Sequence, residues 1–126
     1  MLDAGALRAL EGHHLGLVVA LRAAQRLNLA IRIPAAALAQ VWRGGPRSAP
    51  LARLLKQPAT VVSIDERAAR QIGEFIAHLR LAEADKVDIV DAHVALTTRA
   101  SKSLVFTSDP NDMARYGVAP AQIRKL

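Results

Sequence analysis

Two stretches of this chain, Thr60-Val61-Val62-Ser63-Ile64 and Leu104-Val105-Phe106-Thr107, are runs of β-branched and aliphatic residues without the polar alternation of a half-exposed strand. A strand of that kind has no face to turn to water. It must be covered on both sides, which points to a parallel sheet between two layers of helix. A third, shorter run, Ile31-Arg32-Ile33, stands ahead of Pro34. Helical spacing fills the intervals. From Gly16 to Leu27 the apolar residues recur every three or four positions, with Arg22, Gln25 and Arg26 as a polar edge and Asn28 placed to close the helix. Pro34 suits the first turn of a helix running to about Trp42. The break Gly44-Gly45-Pro46 leads into a basic helix around Ser48 to Lys56, and Pro58 precedes the second strand. Asp65 is placed to cap an amphipathic helix to about Arg80, with Ala69, Ile72, Phe75, Ile76 and Leu79 facing inward. Another helix is predicted from Lys86 to about Arg99, and a short one around Met113 and Arg115. The expectation is one domain over residues 1–126, a three-layer α/β/α fold with a short central parallel sheet.

Composition narrows the class further. A chain of 126 residues can bury one core and is too short to divide into two domains. Hydrophobic residues make up 52% and aromatics only 3%, so that core is aliphatic, and Trp42 is the only tryptophan. The absence of cysteine excludes disulfides and thiolate metal sites and fits the cytoplasm. No cationic segment followed by an apolar run opens the chain, so no signal peptide is expected. Leu15 to Ala24, interrupted by Arg22, falls short of a membrane span. A net charge of +6 favours a polyanion such as nucleic acid, or an acidic protein partner.

Three aspartates stand where an aliphatic chain would avoid them. Asp3 precedes Ala4-Gly5-Ala6-Leu7, Asp91 interrupts the apolar run from Val87 to Ala95, and Asp109 follows the strand-like run ending in Thr107-Ser108. A carboxylate drawn toward an apolar layer is costly without a partner, and a divalent cation is one such partner. In parallel α/β folds ligands bind beyond the carboxyl ends of the strands. Asp109 falls at that edge, Asp3 does so if Met1 and Leu2 close a first strand, and Asp91 reaches it from the first turns of its helix. Each has a purely structural alternative. Asp109 suits an Asx-turn, Asp3 suits a helix cap, and Asp88 could cap a helix on which Asp91 pairs with a Lys or Arg. His13 and His14 fit a solvated turn better than a metal pair, and His93 fits a packed helix position better than a ligand. Arg43, Arg47, Arg53 and Lys56 could track a phosphate backbone or form a solvated helix face. Phosphate loops, Ser/His/Asp nucleophile sets and zinc spacings do not occur. A phosphoacceptor receiver domain would need paired acids after the first strand and a late lysine, and neither is in place.

Leu2-Asp3-Ala4-Gly5-Ala6-Leu7 and Pro34 to Gly45 resemble the opening of a PIN domain. Asp88-Ile89-Val90-Asp91-Ala92-His93-Val94-Ala95 and Val105-Phe106-Thr107-Ser108-Asp109-Pro110 resemble its closing motifs. The ordered set is most similar to the VapC-type ribonuclease toxins of bacterial toxin–antitoxin pairs. The resemblance implies an endoribonuclease using Mg²⁺ or Mn²⁺, with Asp3, Asp91 and Asp109 as catalytic and metal-binding acids. Gln40, Asp88, Ser108 (or Thr107) and Asp112 would be supporting residues. It also implies an RNA substrate, a cognate antitoxin, a homodimer and a cytoplasmic location. Two departures are visible: Gln40 falls where the family usually carries a glutamate, and only Met1 and Leu2 precede the first aspartate. The alternative implied by Gln40 is a PIN-like module that binds an antitoxin or RNA without cleaving.

Overall fold

The computed structural model describes residues 1–57, 60–79 and 86–126. Its elements alternate as expected. Helix α1 (Ala4–Glu11) and helix α2 (Leu15–Arg26) come first, then strand β1 (Arg32–Pro34) and helix α3 (Ala35–Val41). A 3₁₀ turn, Pro46–Ser48, leads into α4 (Ala49–Leu55), and β2 (Thr60–Val62) is followed by α5 (Glu66–His78). The chain closes with α6 (Ile89–Ala100), β3 (Val105–Thr107), α7 (Pro110–Arg115), a second 3₁₀ turn and β4 (Ile123–Lys125).

The parallel sheet is built in two halves. β1 pairs with β2 in the register Ile33↔Val61, and β3 pairs with β4 in the register Phe106↔Arg124. Residues 1–3 join them. The Leu2 amide donates to the Arg32 carbonyl at 3.0 Å on one side. On the other, the Phe106 amide donates to the Met1 carbonyl at 3.0 Å and the Asp3 amide to the Phe106 carbonyl at 3.3 Å. The first strand therefore exists only as the bridge Leu2↔Phe106, which carries the chain directly into α1. Leu2, Leu7, Ile33, Val94 and Val105 fill the centre from different elements. Burying a leucine such as Leu7 stabilises the fold by roughly 2 kcal/mol.

Several boundaries moved, for local reasons. Pro34 sits at the N-cap of α3 rather than inside it, ending β1 instead. α6 begins at Ile89, not Lys86, because the Asp88 carboxylate takes the Val90 amide at 2.7 Å and fixes the start. Asp65 caps α5 as expected, accepting from the Ala68 amide at 2.8 Å. Ile72 is buried and Phe75, Ile76 and Leu79 pack against the core, but Ala69 is exposed. At about 100° per residue Ala69 lies at the margin of that stripe. Pro58 and Arg80 lie outside the described residues. β4 was not anticipated: Ile123-Arg124-Lys125 is a short basic edge strand with only Ile123 packed inward. Among the described residues no helix is long and apolar enough to cross a membrane.

Candidate functional site

Three helices begin at one edge of the sheet, and an aspartate caps each. Asp3 follows the Leu2 bridge and accepts the Ala6 amide at 2.6 Å, starting α1. Asp88 starts α6. Asp109 follows β3 and accepts the amides of Asn111 and Asp112, both at 3.1 Å, starting α7. Asp91 and Asp112 stand in the first turns of α6 and α7. Capping satisfies amides that would otherwise lack partners, and the positive end of each helix favours a carboxylate there. The capping alternatives for Asp3, Asp88 and Asp109 are thus realised.

Capping does not account for Asp91. Its carboxyl is pushed up to about 6 from the ordinary 3.8, first by burial and then by the charges of Asp88, Asp112, Asp3 and Asp109. The structure therefore brings all five acids into one electrostatic field. Among the described residues Asp91 forms no ion pair with Lys or Arg. The Asp3 carboxyl is also raised, by burial, against the lowering influence of Thr107, the Ala6 amide, Arg8 and the Gly5 amide.

Asp3 and Asp109 are tied through one hydroxyl. Thr107, fully buried at the end of β3, accepts the Asp109 amide at 2.9 Å and stands against the Asp3 carboxylate. Gly5 lets α1 approach this turn: a Cβ there would overlap the Ser108 hydroxyl and lie 3.0 Å from Ser108 Cβ. Tyr116 holds α6 from beneath. Its buried hydroxyl accepts the Asp88 amide at 2.8 Å and donates to the Asp88 carbonyl at 3.3 Å. Sequence reasoning missed Tyr116 and the steric role of Gly5. A lone tyrosine in an aliphatic chain, which must find a partner for its hydroxyl when buried, was the available signal.

Gln40 is exposed on α3, the helix that packs against both α1 and α6, and among the described residues its side-chain amide makes no hydrogen bond. His93 is buried in the core with Nδ1 unpartnered, and burial lowers its proton affinity, so it is a packed helix residue. His14 caps α2 through Nδ1, at 3.3 Å from the Leu17 amide, beside His13 in the turn. In the basic cluster, Arg43 caps α3 by donating to the carbonyls of Ala39, Gln40 and Trp42, and Arg47 pairs with Glu11 at 3.2 Å. Arg53 and Lys56 remain exposed on α4 and its end.

The donor set at the acidic edge is all carboxylate, the hard oxygen chemistry that suits Mg²⁺ or Mn²⁺. As they lie, no three acidic or histidine side chains among the described residues form a ready-made cage. Asp3, Asp88 and Asp109 each direct one oxygen to a helix amide. The PIN domain family matches residues 1–119, and the chain belongs to that family. PIN domains are a nuclease-type fold, generally metal-dependent. Neither the curated proteins nor the solved structures compared with this chain gave a match.

Proposed function

We propose that this PIN domain is the toxin of a toxin–antitoxin pair, a Mg²⁺- or Mn²⁺-dependent endoribonuclease weakened by Gln40. The observation that supports the reading is the field at Asp91: a carboxyl in the company of four others, with proton affinity raised and, among the described residues, no cationic side chain paired to it. Such a group favours a proton or a cation over a bare charge. Asp3, Asp91 and Asp109 would hold the ion, with Asp88 and Asp112 adding to its attraction. A divalent ion, when bound there, supplies a Lewis acid that acidifies water and offsets charge on a phosphodiester. Thr107 fixes the spacing of Asp3 and Asp109, and Tyr116 fixes the start of the helix bearing Asp91. Gln40 offers a neutral oxygen where a fourth carboxylate would add charge and a proton acceptor.

The antitoxin part rests on α2. Leu15, Val19 and Leu27 are exposed along it beside Arg22 and Arg26, and the helix has no acid. A partner helix with apolar anchors and flanking carboxylates complements that face. Two copies meeting there would set arginine against arginine, so a homodimer would use another surface. Gln40 also favours a second reading, a PIN module that binds without cleaving. The test is Mn²⁺-dependent cleavage of mixed RNA by the native chain and by Gln40→Glu, with Asp91→Asn as the blank. The expected result is weak native activity and a gain of about tenfold in Gln40→Glu, equal to ~1.4 kcal/mol. No cleavage by either protein would support the binding module.

A further inference from the structure

Glu11, the last residue of α1, is a carboxylate whose side chain is only 4% exposed. It is fully matched. The Ser48 hydroxyl donates to its Oε1 at 3.0 Å and Arg47 Nε to its Oε2 at 3.2 Å. Ser48 also receives the Arg43 amide at 3.5 Å, so the whole 42–48 segment hangs from the end of α1. α1 and α3 both start at the acidic edge, one after the Leu2 bridge and one after β1, and pack side by side. Their far ends therefore fall together, and the end of α1 lies about 12 Å from Asp3 along its eight residues.

At that end stands Trp42, at the C-cap of α3 and 40% exposed. Arg43 follows it. Gly44 and Gly45, at φ 73° and 69°, then turn the chain with open space around them, and Arg47 is 75% exposed despite its bond to Glu11. The Arg43 guanidinium is turned back onto the carbonyls that end α3, whereas Arg47 is held by Glu11 through Nε. A flat exposed aromatic face on the same short segment as such a cation fits a single nucleic-acid strand: any base can stack on the ring while the guanidinium meets phosphate. The Glu11–Ser48 tie holds that face in place without covering it.

We infer that Trp42, with Arg47, is a base-stacking subsite for single-stranded RNA, placed at the end of α1 opposite Asp3. The inference rests on the nuclease reading for its substrate class, but binding can be measured without cleavage. Because Trp42 is the only tryptophan, its emission reports this spot alone.

The experiment titrates the full chain, in chelator, with a short mixed-sequence single-stranded RNA. It follows Trp42 emission together with the anisotropy of an end-labelled copy of the same RNA. Saturable quenching is expected, with affinity about tenfold weaker in Trp42→Ala and retained in Trp42→Phe. The same RNA annealed to its complement should quench far less, because its bases are not free to stack. RNA binding seen by anisotropy, with emission unchanged and Trp42→Ala binding equally, overturns the subsite and leaves the nuclease reading standing. Equal quenching by duplex or by polyglutamate also overturns it, reassigning the patch to general polyanion or protein contact. Absence of RNA binding altogether removes the subsite and the RNA substrate together.

Discussion

The two ends of α1 carry the same chemical group in opposite circumstances. Glu11 is nearly buried, and Arg47 and Ser48 meet both its oxygens. Asp3, also buried, meets the Ala6 amide and Thr107 and faces a carboxyl-rich edge whose most perturbed member, Asp91, has no paired cation among the described residues. A matched carboxylate joins two parts of the fold and needs nothing more. Arg115 meets Asp112 at 3.1 Å, and the repulsion left among the other carboxylates raises the free energy of the folded chain. The difference separates a carboxylate that joins two parts of the fold from carboxylates held together against their own repulsion.

The largest effect that would break this comparison concerns Asp91. In Asp91→Asn, metal-dependent cleavage should fall at least a hundredfold, about 2.7 kcal/mol, while the chain gains stability in chelator. The sign follows from the raised proton affinity. A folded-state value of about 6 against 3.8 makes the protonated form favour the fold, a contribution complete below pH ~4 and lost as pH rises through 6. In chelator the native chain should therefore lose about 1 kcal/mol from this group between pH 4 and 7, allowing for solvent screening, and the Asn variant should lose less. Thermal melts of both across that range, with and without Mn²⁺, measure it. A native chain as stable at pH 7 as at pH 4, with the Asn variant no better, would sink the idea of an unmatched cluster.

Glu11→Ala should act in the opposite sense. It leaves Ser48 and Arg47 without their acceptor and should cost about 1–2 kcal/mol in stability, with Mn²⁺ affinity unchanged. Denaturant unfolding and a metal titration of the same preparation separate the two effects. A shifted metal affinity would mean that the two ends of α1 are not independent.

The smallest expected effect sharpens the boundary between holding and acting. Tyr116→Phe removes only the hydroxyl that meets the Asp88 amide and carbonyl. About 1 kcal/mol of stability should go. Mn²⁺ affinity should weaken a few-fold, because the start of α6, and Asp91 with it, is less firmly placed. Unaltered metal affinity would confine Tyr116 to a packing role.

Much of this was legible in residue order. Apolar runs marked β1, β2 and β3, and Asp65 announced a helix start, because strand burial and capping are local; α6 was expected from Lys86 and begins only after the Asp88 cap. Asp3, Asp91 and Asp109 stood out as misplaced acids for the same reason: the cost of burying a charge can be read from immediate neighbours. What could not be read was tertiary. Nothing near Tyr116 in sequence shows that its hydroxyl reaches Asp88, 28 residues earlier. Nothing near Gly5 shows that Ser108 fills the space a side chain would take. β4 escaped because its pairing with β3 satisfies the backbone while Arg124 and Lys125 stay in solvent.

The Leu2 bridge has a mechanical consequence. Two half-sheets, β1 with β2 and β3 with β4, share a single rung, and that rung runs directly into Asp3. The rung is unevenly anchored: two backbone bonds tie it to β3 and one, from the Leu2 amide to the Arg32 carbonyl, ties it to β1. Asp3 and Asp109 therefore travel together on the β3 half, and the β1–β2 half is held to them chiefly by the packing of α3 against α1 and α6.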